Sequence, residues 1–353
     1  QEGMRKALEY VDSKKGETYP LIINGEKIYA EKTIDSINPA IKNELIGKVA
    51  AAETKHAEDA IQTAAEAFKT WSRTSAEERV KCILKLIELL KENRYELIAW
   101  MTEENGKNWG EADGEICETI DFALAYACGM LNLDKGLSST LIPSDKENRQ
   151  CFYIPIGVGV AVAPWNFPIS LIGGMVLSAV VTGNTIVMKP SSDTPIVAYR
   201  LEELRQECGI PKGVVNFITG SGRSIGDYLV GHPKTRFINF TGSKSVGLHI
   251  SELSGKTAEG QIWIKRIVAE MGGKNAIVVD NTADIEEAAA GIVSSAFSLQ
   301  GQKCSACSRL IAHEDIYDEL LKKVTEKAKQ LEKGLGRDNK DFGPVMSQSA
   351  YHG

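Results

Sequence analysis

The sequence predicts an α/β protein that contains a mostly parallel sheet. Between residues 152 and 280, short apolar runs alternate with helical patterns, as expected when helices connect parallel strands. Before residue 130, apolar residues instead recur every three or four positions, which is typical of helices. A chain of 353 residues is too long for one ordinary domain. We therefore expect two or more domains.

The first part of the chain predicts long helices. Their apolar spacing extends over Ala57 to Trp71, Ser75 to Glu104 and Glu111 to Leu131. Ser75 followed by Glu78 predicts a capping box. The next segment, residues 135–149, is polar and contains turn residues, so we expect a strand, a turn and a strand there.

Alternating strands and helices then favour a doubly wound, Rossmann-type nucleotide-binding fold. We expect strands at Ile156 to Ala163, Thr185 to Lys189, Val214 to Thr219, Phe237 to Thr241 and Ala276 to Val279. We expect helices at Ser170 to Val181, Pro195 to Cys208, Ser224 to Val230 and Ser243 to Leu253. After residue 270, a second α/β module is predicted, with helix Ile285 to Ser298, strand Arg309 to Ala312 and helix Tyr317 to Glu332.

Composition favours small-molecule chemistry. The 41 basic and 47 acidic residues give a net charge of −6, without a basic patch dense enough for nucleic acid. The longest apolar runs, 154–165 and 169–181, are interrupted by Gly and Pro and are shorter than the ~20 residues of a membrane span. We expect neither nucleic acid nor a membrane as a partner.

Cysteine usage indicates a reducing compartment. The seven cysteines are an odd number without the density of a disulfide scaffold. Cys304 and Cys307 form a CxxC pair, which leaves a redox pair or half of a zinc site as alternatives, but the scattered histidines favour no metal. The first residues contain no signal-peptide core, and the chain begins at Gln1 without an initiator Met. Thiol usage alone therefore predicts a cytoplasmic location, with a mitochondrial matrix as the alternative.

Cys304 is the candidate nucleophile because it lies in the short polar loop 301–309, directly after a predicted helix. A thiol with a pKa of ~8.5 needs a base or a positive field to become a thiolate at neutral pH. Glu270 is the candidate base, since its apolar neighbours predict a raised pKa. The alternative for Cys304 is a buried structural thiol. The alternative for Glu270 is a glutamate on a helix surface or in a salt bridge to Lys265 or Arg266.

Asn166 is a candidate oxyanion donor because it follows an apolar strand and precedes Pro168. Its amide could act with the backbone N–H of Cys304, a contribution of ~3 kcal/mol in the transition state. The alternative is a loop asparagine that satisfies its own turn.

Two segments are candidates for phosphate and ribose binding, although no GxGxxG follows the first strand. The turn 241–247 follows a strand and opens a helix, so its backbone N–H groups can face a phosphate. Lys189 ends another strand at the carboxyl edge of the sheet, the usual ligand crevice. The alternatives are an ordinary helix N-cap and a solvated surface lysine.

The segments 164–168 (PWNFP), 269–275 (AEMGGKN) and 301–309 (GQKCSACSR) together resemble the aldehyde dehydrogenase superfamily. Its 1-pyrroline-5-carboxylate dehydrogenase branch oxidises glutamate 5-semialdehyde to glutamate. Segments 19–26, 118–122, 232–237 and 301–309 resemble that branch. Another small-aldehyde dehydrogenase and a binding protein without catalysis are the alternatives.

The resemblance implies a cysteine mechanism with NAD as the cofactor. Cys304 would form a thiohemiacetal and then a thioester, Asn166 would stabilise the oxyanion, and Glu270 would activate the hydrolytic water. The family's GQxC pattern places the nucleophile at Cys304 and not at Cys307.

The resemblance also assigns residues to the cofactor and the substrate. Lys189 would hold the adenosine ribose and Ser243 the pyrophosphate, and Trp165 would supply backbone contacts. Glycines would allow close approach of the cofactor at Gly222, Gly226 and Gly247. Strictly NAD-dependent relatives often have a glutamate where this chain has Ser192, so NADP is also expected to bind. Ser305 would bind the substrate α-carboxylate and Phe167 would line the aliphatic passage, unless they are ordinary loop and core residues.

The implied domains are a helical part of the cofactor-binding domain at 1–132, an oligomerisation segment at 133–152, a Rossmann-type NAD-binding core at 153–269, and the first part of the catalytic thiol domain at 270–353. Family members continue beyond residue 353 with a glutamate for the nicotinamide ribose, a substrate-anchoring loop and a strand used in oligomerisation. We therefore expect a chain truncated at its C-terminus relative to the family, and a homo-oligomer in the full-length form.

Overall fold

A computed structural model describes residues 1–136 and 151–352. The helices are α1 Glu2–Lys14, α2 Thr54–Trp71, α3 Ala76–Glu92, α4 Arg94–Glu104, α5 Trp109–Asp134, α6 Ser170–Val181, α7 Pro195–Glu207, α8 Asp227–Gly231, α9 Lys244–Ser254, α10 Ile285–Phe297, α11 Tyr317–Lys329 and α12 Gln348–His352. The strands are β1 Thr18–Tyr19, β2 Leu21–Ile23, β3 Glu26–Ile28, β4 Thr33–Ile37, β5 Leu45–Ala50, β6 Val158–Val162, β7 Thr185–Lys189, β8 Val215–Phe217, β9 Thr235–Thr241, β10 Arg266–Glu270, β11 Asn275–Val279 and β12 Cys307–Ala312. The strand, turn and strand expected at 135–149 lie almost entirely outside the described residues.

The main sheet has seven strands in the order β10-β9-β6-β7-β8-β2-β3. The five strands from β10 to β8 are parallel, whereas β2 is antiparallel to both β8 and β3. The predicted α/β class and mostly parallel sheet are therefore confirmed. A three-stranded sheet, β1-β5-β4, and a parallel pair, β11-β12, complete the topology of the described residues.

The structure corrects three expectations about local structure. The predicted helix from 75 to 104 is two helices, because Asn93 leaves the helical conformation and its Nδ2 donates to Leu89 O over 2.9 Å. Strands β1 to β5 were not expected, since runs of two to six residues carry little periodic signal. Strand β10 was also missed. The capping box of Ser75 and Glu78 is present at the start of α3, as predicted.

The parallel register brings four strand ends to one edge of the sheet. Val162, the last residue of β6, is paired with Lys189 of β7 and with Phe240 of β9. Glu270 at the end of β10 is paired with Thr241 at the end of β9. Because parallel strands share a direction, the segments that follow β6, β7, β9 and β10 all begin at this carboxyl edge.

Helix α5 is the longest described helix, with 26 residues. It is the one helix of the described ranges that is long and apolar enough to cross a membrane, a test that core helices also pass. It contacts α3, α4 and α6, and its buried residues include Ala112, Glu115 and Ile116.

The β11-β12 pair has its own small core. Val279 of β11 packs with Ala289 and Ile292 of α10 and with Ile316 and Leu320 near the start of α11. This cluster is separate from the larger core around α3, α5, α6 and the main sheet. The loop that contains Cys304 connects α10 to β12 and therefore extends from this smaller cluster.

Substitution by alanine should have opposite effects on stability at two glycines, one packed inside the main sheet and one exposed on α5. A Cβ at Gly159 of β6 would lie 2.2 Å from the Phe237 ring, so Gly159→Ala should lower the free energy of unfolding by about 1–3 kcal/mol. Gly114 is exposed on α5 and a Cβ there would meet open space, so Gly114→Ala should raise that free energy by about 0.5–1 kcal/mol. Urea unfolding measures both variants. A Gly159→Ala protein as stable as wild type would contradict the packing described.

Candidate active site

A cavity of about 560 Å³ lies at the carboxyl edge of the main sheet. The segments that line it include the turn after β6, the turn after β9, the turn after β10 and the loop after α10. Its lining residues include Trp165, Asn166, Ser243 and Cys304. Four residues predicted from three separate segments therefore share one cavity.

Cys304 lies in the turn between α10 and β12 and is exposed. Asn275 Nδ2 donates to the Cys304 carbonyl over 2.8 Å, which ties this turn to the start of β11. Cys307 begins strand β12, and its Sγ donates to Arg309 O over 3.3 Å. Cys304 lines the cavity and Cys307 does not, so the geometry favours Cys304 as the nucleophile.

All seven cysteines are free thiols, so the described structure contains no CxxC disulfide. Across residues 1–136 and 151–352, no group of three His, Cys, Asp or Glu side chains is placed to hold a metal ion.

Asn166 connects the turn after β6 to the cysteine loop. Its Nδ2 donates to Gln302 O over 2.8 Å, two residues before Cys304. Its Oδ1 is buried and has no hydrogen-bond partner among the described residues. The amide therefore does not merely satisfy its own turn, and its N–H face is directed toward the segment that carries the thiol.

Glu270 ends β10 and lines a neighbouring cavity of about 280 Å³ with Leu171 and Thr241, two residues that also line the Cys304 cavity. It is exposed, so the apolar burial expected from its neighbours is wrong. Side chains alternate along a strand: Ile267 and Ala269 pack into a core cluster, while Glu270 faces the other way. The ion pair with Lys265, which was considered as the alternative, is not formed, because Lys265 Nζ donates to Val230 O over 2.6 Å.

Lys189 is buried at the end of β7, with 5 % of its surface exposed, so the solvated surface lysine considered above is wrong. Burial lowers the pKa of its ammonium from an ordinary value of 10.5 to about 8. Its hydrogen bond within the described structure is a long one of 3.4 Å to Pro190 O. A buried cation without a carboxylate partner is costly unless a ligand supplies acceptors.

The other predicted cofactor residues lie along the same edge. Ser243 is the N-cap of α9, where its Oγ accepts from Val246 N over 3.4 Å. Ser192 Oγ donates to Gly220 O over 3.3 Å. Gly222 and Gly226 bound a single π-helical turn, and a Cβ at either would meet open space. An open glycine turn, a helix N-terminus and a buried, poorly partnered lysine fit an anionic dinucleotide.

Two of the residues predicted to contact the cofactor have partners within the protein. A Cβ at Gly247 would lie 2.8 Å from Met271 Sδ, so close packing against Met271 accounts for this glycine. Trp165 O accepts from Asn105 Nδ2 over 2.9 Å and from Thr194 Oγ1 over 3.4 Å. The indole lines the cavity, but the carbonyl is already used.

The predicted substrate residues flank the cavity without lining it. Ser305 is exposed next to Cys304, and Phe167 is half-buried. Lys107 Nζ lies 4.3 Å from the centre of the Phe167 ring. Lys107 forms a fully buried ion pair with Glu115 of α5, a feature that sequence reasoning missed. Its only signal in the sequence was Glu115, a charged residue within the predicted helix Glu111 to Leu131.

Comparisons with known proteins identify the family of this chain. The model of the aldehyde dehydrogenase family matches residues 27–353. A 1-pyrroline-5-carboxylate dehydrogenase of Geobacillus thermodenitrificans is 51% identical over 347 residues, which cover 98% of this chain and 67% of that protein. A variant of the Thermus thermophilus 1-pyrroline-5-carboxylate dehydrogenase has a TM-score of 0.96 and 44% identity, covering 99% of this chain and 67% of its own.

A Thermus enzyme of the same name with bound NAD has a TM-score of 0.96 and 43% identity, with the same coverage of 99% and 67%. The similarity thus includes the carboxyl edge of the sheet and the cysteine loop, and it extends over nearly every residue of this chain. The chain belongs to the aldehyde dehydrogenase family.

Proposed function

We propose that this protein is an NAD-dependent dehydrogenase that oxidises L-glutamate 5-semialdehyde, formed from 1-pyrroline-5-carboxylate, to glutamate in proline and arginine catabolism. The observation that carries the proposal is the meeting of Asn166 and Cys304 at one cavity, through the hydrogen bond from Asn166 to Gln302 O. Relatives of that name at 43–51% identity support the substrate.

Each residue has a chemical task in this reaction. Cys304 loses its thiol proton to solvent and its Sγ adds to the aldehyde carbon, while the amide of Asn166 donates to the carbonyl oxygen that becomes negative. When bound, NAD would accept the hydride and so leave a thioester on Cys304. Glu270 then removes a proton from the water that attacks this thioester, which releases the carboxylic acid and the free thiol.

The location and assembly are proposals of the same kind. The matched relatives are bacterial proteins, and free thiols are stable in a reducing compartment, so we place the protein in the cytoplasm. Homo-oligomerisation stays a prediction, because most of the segment 133–152 lies outside the described residues. Binding of NADP in addition to NAD, from the uncharged Ser192, also stays a prediction.

The function is tested by following NADH formation with glutamate 5-semialdehyde, succinate semialdehyde and acetaldehyde in parallel. We expect the highest kcat/KM for glutamate 5-semialdehyde. A preference for either other aldehyde would contradict the proposed substrate, and failure to bind NAD would contradict the proposed activity.

Asn166→Ala should lower kcat by a factor of about 100–1000, because one oxyanion donor is lost in the transition state. KM for the aldehyde should change little, since the ground-state carbonyl carries little negative charge. Steady-state kinetics with glutamate 5-semialdehyde measure both constants. An unchanged kcat would remove Asn166 from the oxyanion site.

Glu270→Gln should retain hydride transfer and accumulate the acyl-enzyme, because the amide cannot remove a proton from water. Rapid mixing should show a burst of NADH followed by slow turnover, and mass spectrometry should find the acyl group on the peptide that contains Cys304. Normal deacylation in this variant would assign the base to another residue.

Lys189→Met should stabilise the ligand-free protein and weaken NAD binding. The folded-state pKa is lowered, so the cost of the charge is fully present below pH of about 8 and disappears as the pH approaches 10.5. We expect a gain in unfolding free energy of roughly 1–3 kcal/mol at pH 7 that shrinks toward pH ~10. Urea unfolding at both pH values and calorimetric titration with NAD measure the two effects.

Lys265→Met is the matched control, because Lys265 is also a buried lysine whose pKa burial lowers to about 8. It lies before β10, at the opposite end of the strands from Lys189, and should leave NAD affinity unchanged. Equal loss of NAD affinity in the two variants would contradict a direct role for Lys189.

A further inference from the structure

The cysteine loop begins with three consecutive residues in the left-handed backbone region. The φ angles are 48° at Leu299, 57° at Gln300 and 71° at Gly301. Only the last is a glycine, so the first two adopt a conformation that side chains disfavour. Such a run persists only where surrounding contacts hold it, and it lies directly before the turn that carries Cys304.

Helix α5 supplies one of those contacts. Glu111, in the first turn of α5, accepts a hydrogen bond from Leu299 N over 2.6 Å. The Leu299 carbonyl in turn accepts from Gln302 N over 3.0 Å and from Gln302 Nε2 over 3.1 Å. Gln302 O is the acceptor for Asn166 Nδ2. A continuous chain of hydrogen bonds therefore extends from Glu111 to the oxyanion donor.

A second carboxylate on α5, one helical turn later, holds the other side of the site. Glu115 Oε1 accepts from Ile169 N over 2.7 Å and from Ser170 N over 3.0 Å, the first N–H groups of α6. Its other oxygen pairs with Lys107, and both side chains are about 1 % exposed or less. Asn166 and Phe167 lie just before this anchored helix start.

Residues four apart on a helix lie on one face, about 6 Å apart along the axis. Glu111 therefore holds the segment that precedes Cys304, and Glu115 holds the start of α6, which follows Asn166. Both contacts come from one helix, α5. We propose that Glu111 and Glu115 are positioning residues, which use α5 to fix the distance between Cys304 and Asn166. This inference rests on the proposed function, because the distance matters only if the two groups act on one carbonyl.

The test compares kcat and KM of Glu111→Met and Glu111→Gln with wild type. Glu111→Met removes the acceptor for Leu299 N, and we expect kcat to fall about 10- to 100-fold while KM for the aldehyde changes less than about threefold, since misplacement by ~1 Å acts on the transition state. Glu111→Gln keeps a carbonyl oxygen and should retain kcat within about threefold.

A pair of double variants tests Glu115. Lys107→Met with Glu115→Leu removes a buried ion pair and the acceptor for the start of α6, so it should lower kcat in the same way. The matched control is Glu202→Leu with Arg205→Met, a buried pair on α7 that is similarly inaccessible. The control should retain kcat. If the first double variant fails to fold, as judged by circular dichroism, the Glu111 variants decide.

The outcomes distinguish this inference from the function on which it rests. If the wild type is active and Glu111→Met keeps the wild-type kcat, the positioning role is contradicted but the proposed function is not. A Glu111→Gln variant as impaired as Glu111→Met would also contradict it. A wild-type protein without dehydrogenase activity would contradict the proposed function, and the positioning role with it.

Discussion

The parallel pairing of β6, β7, β9 and β10 is the constraint on which the site depends. Each strand alone carries one candidate group at or just after its end. Because the four strands run in the same direction, these groups lie on one edge of the sheet: Asn166, Lys189, Ser243 and Glu270. A reversal of any strand would move its group to the opposite edge. The hydrogen bonds of the sheet, which are made far from any substrate, therefore determine which side chains can act together.

Two buried charges near this edge, Glu115 and Lys189, are compensated in different ways. The negative charge of Glu115 is balanced by Lys107 and by hydrogen bonds from two backbone N–H groups. These hydrogen bonds also hold the start of α6. Lys189 has no comparable partner in the described structure, and burial lowers its pKa to about 8. The first arrangement gives rigidity and the second leaves a cation whose hydrogen-bonding capacity is free for a ligand.

Much of the central sheet could be predicted from the sequence, because β7 and α6 are continuous apolar runs with clear ends. The short strands β1 to β5 could not, since two to six residues do not establish a period. Asn166 and Cys304 were recognisable from their local motifs. The exposure of Glu270 was not, because Ile267 and Ala269 pack on the opposite face of β10 and Val268 is itself exposed.

The sequence by itself determined the α/β class, the motif residues and the resemblance to the family, since these depend on local periodicity and residue identity. Only the tertiary structure decided that Lys189 is buried, that Gly247 packs on Met271, and that Glu111 reaches Leu299 across 188 positions of the chain. Contacts at such separations depend on how the sheet and α5 pack, and no local pattern encodes them.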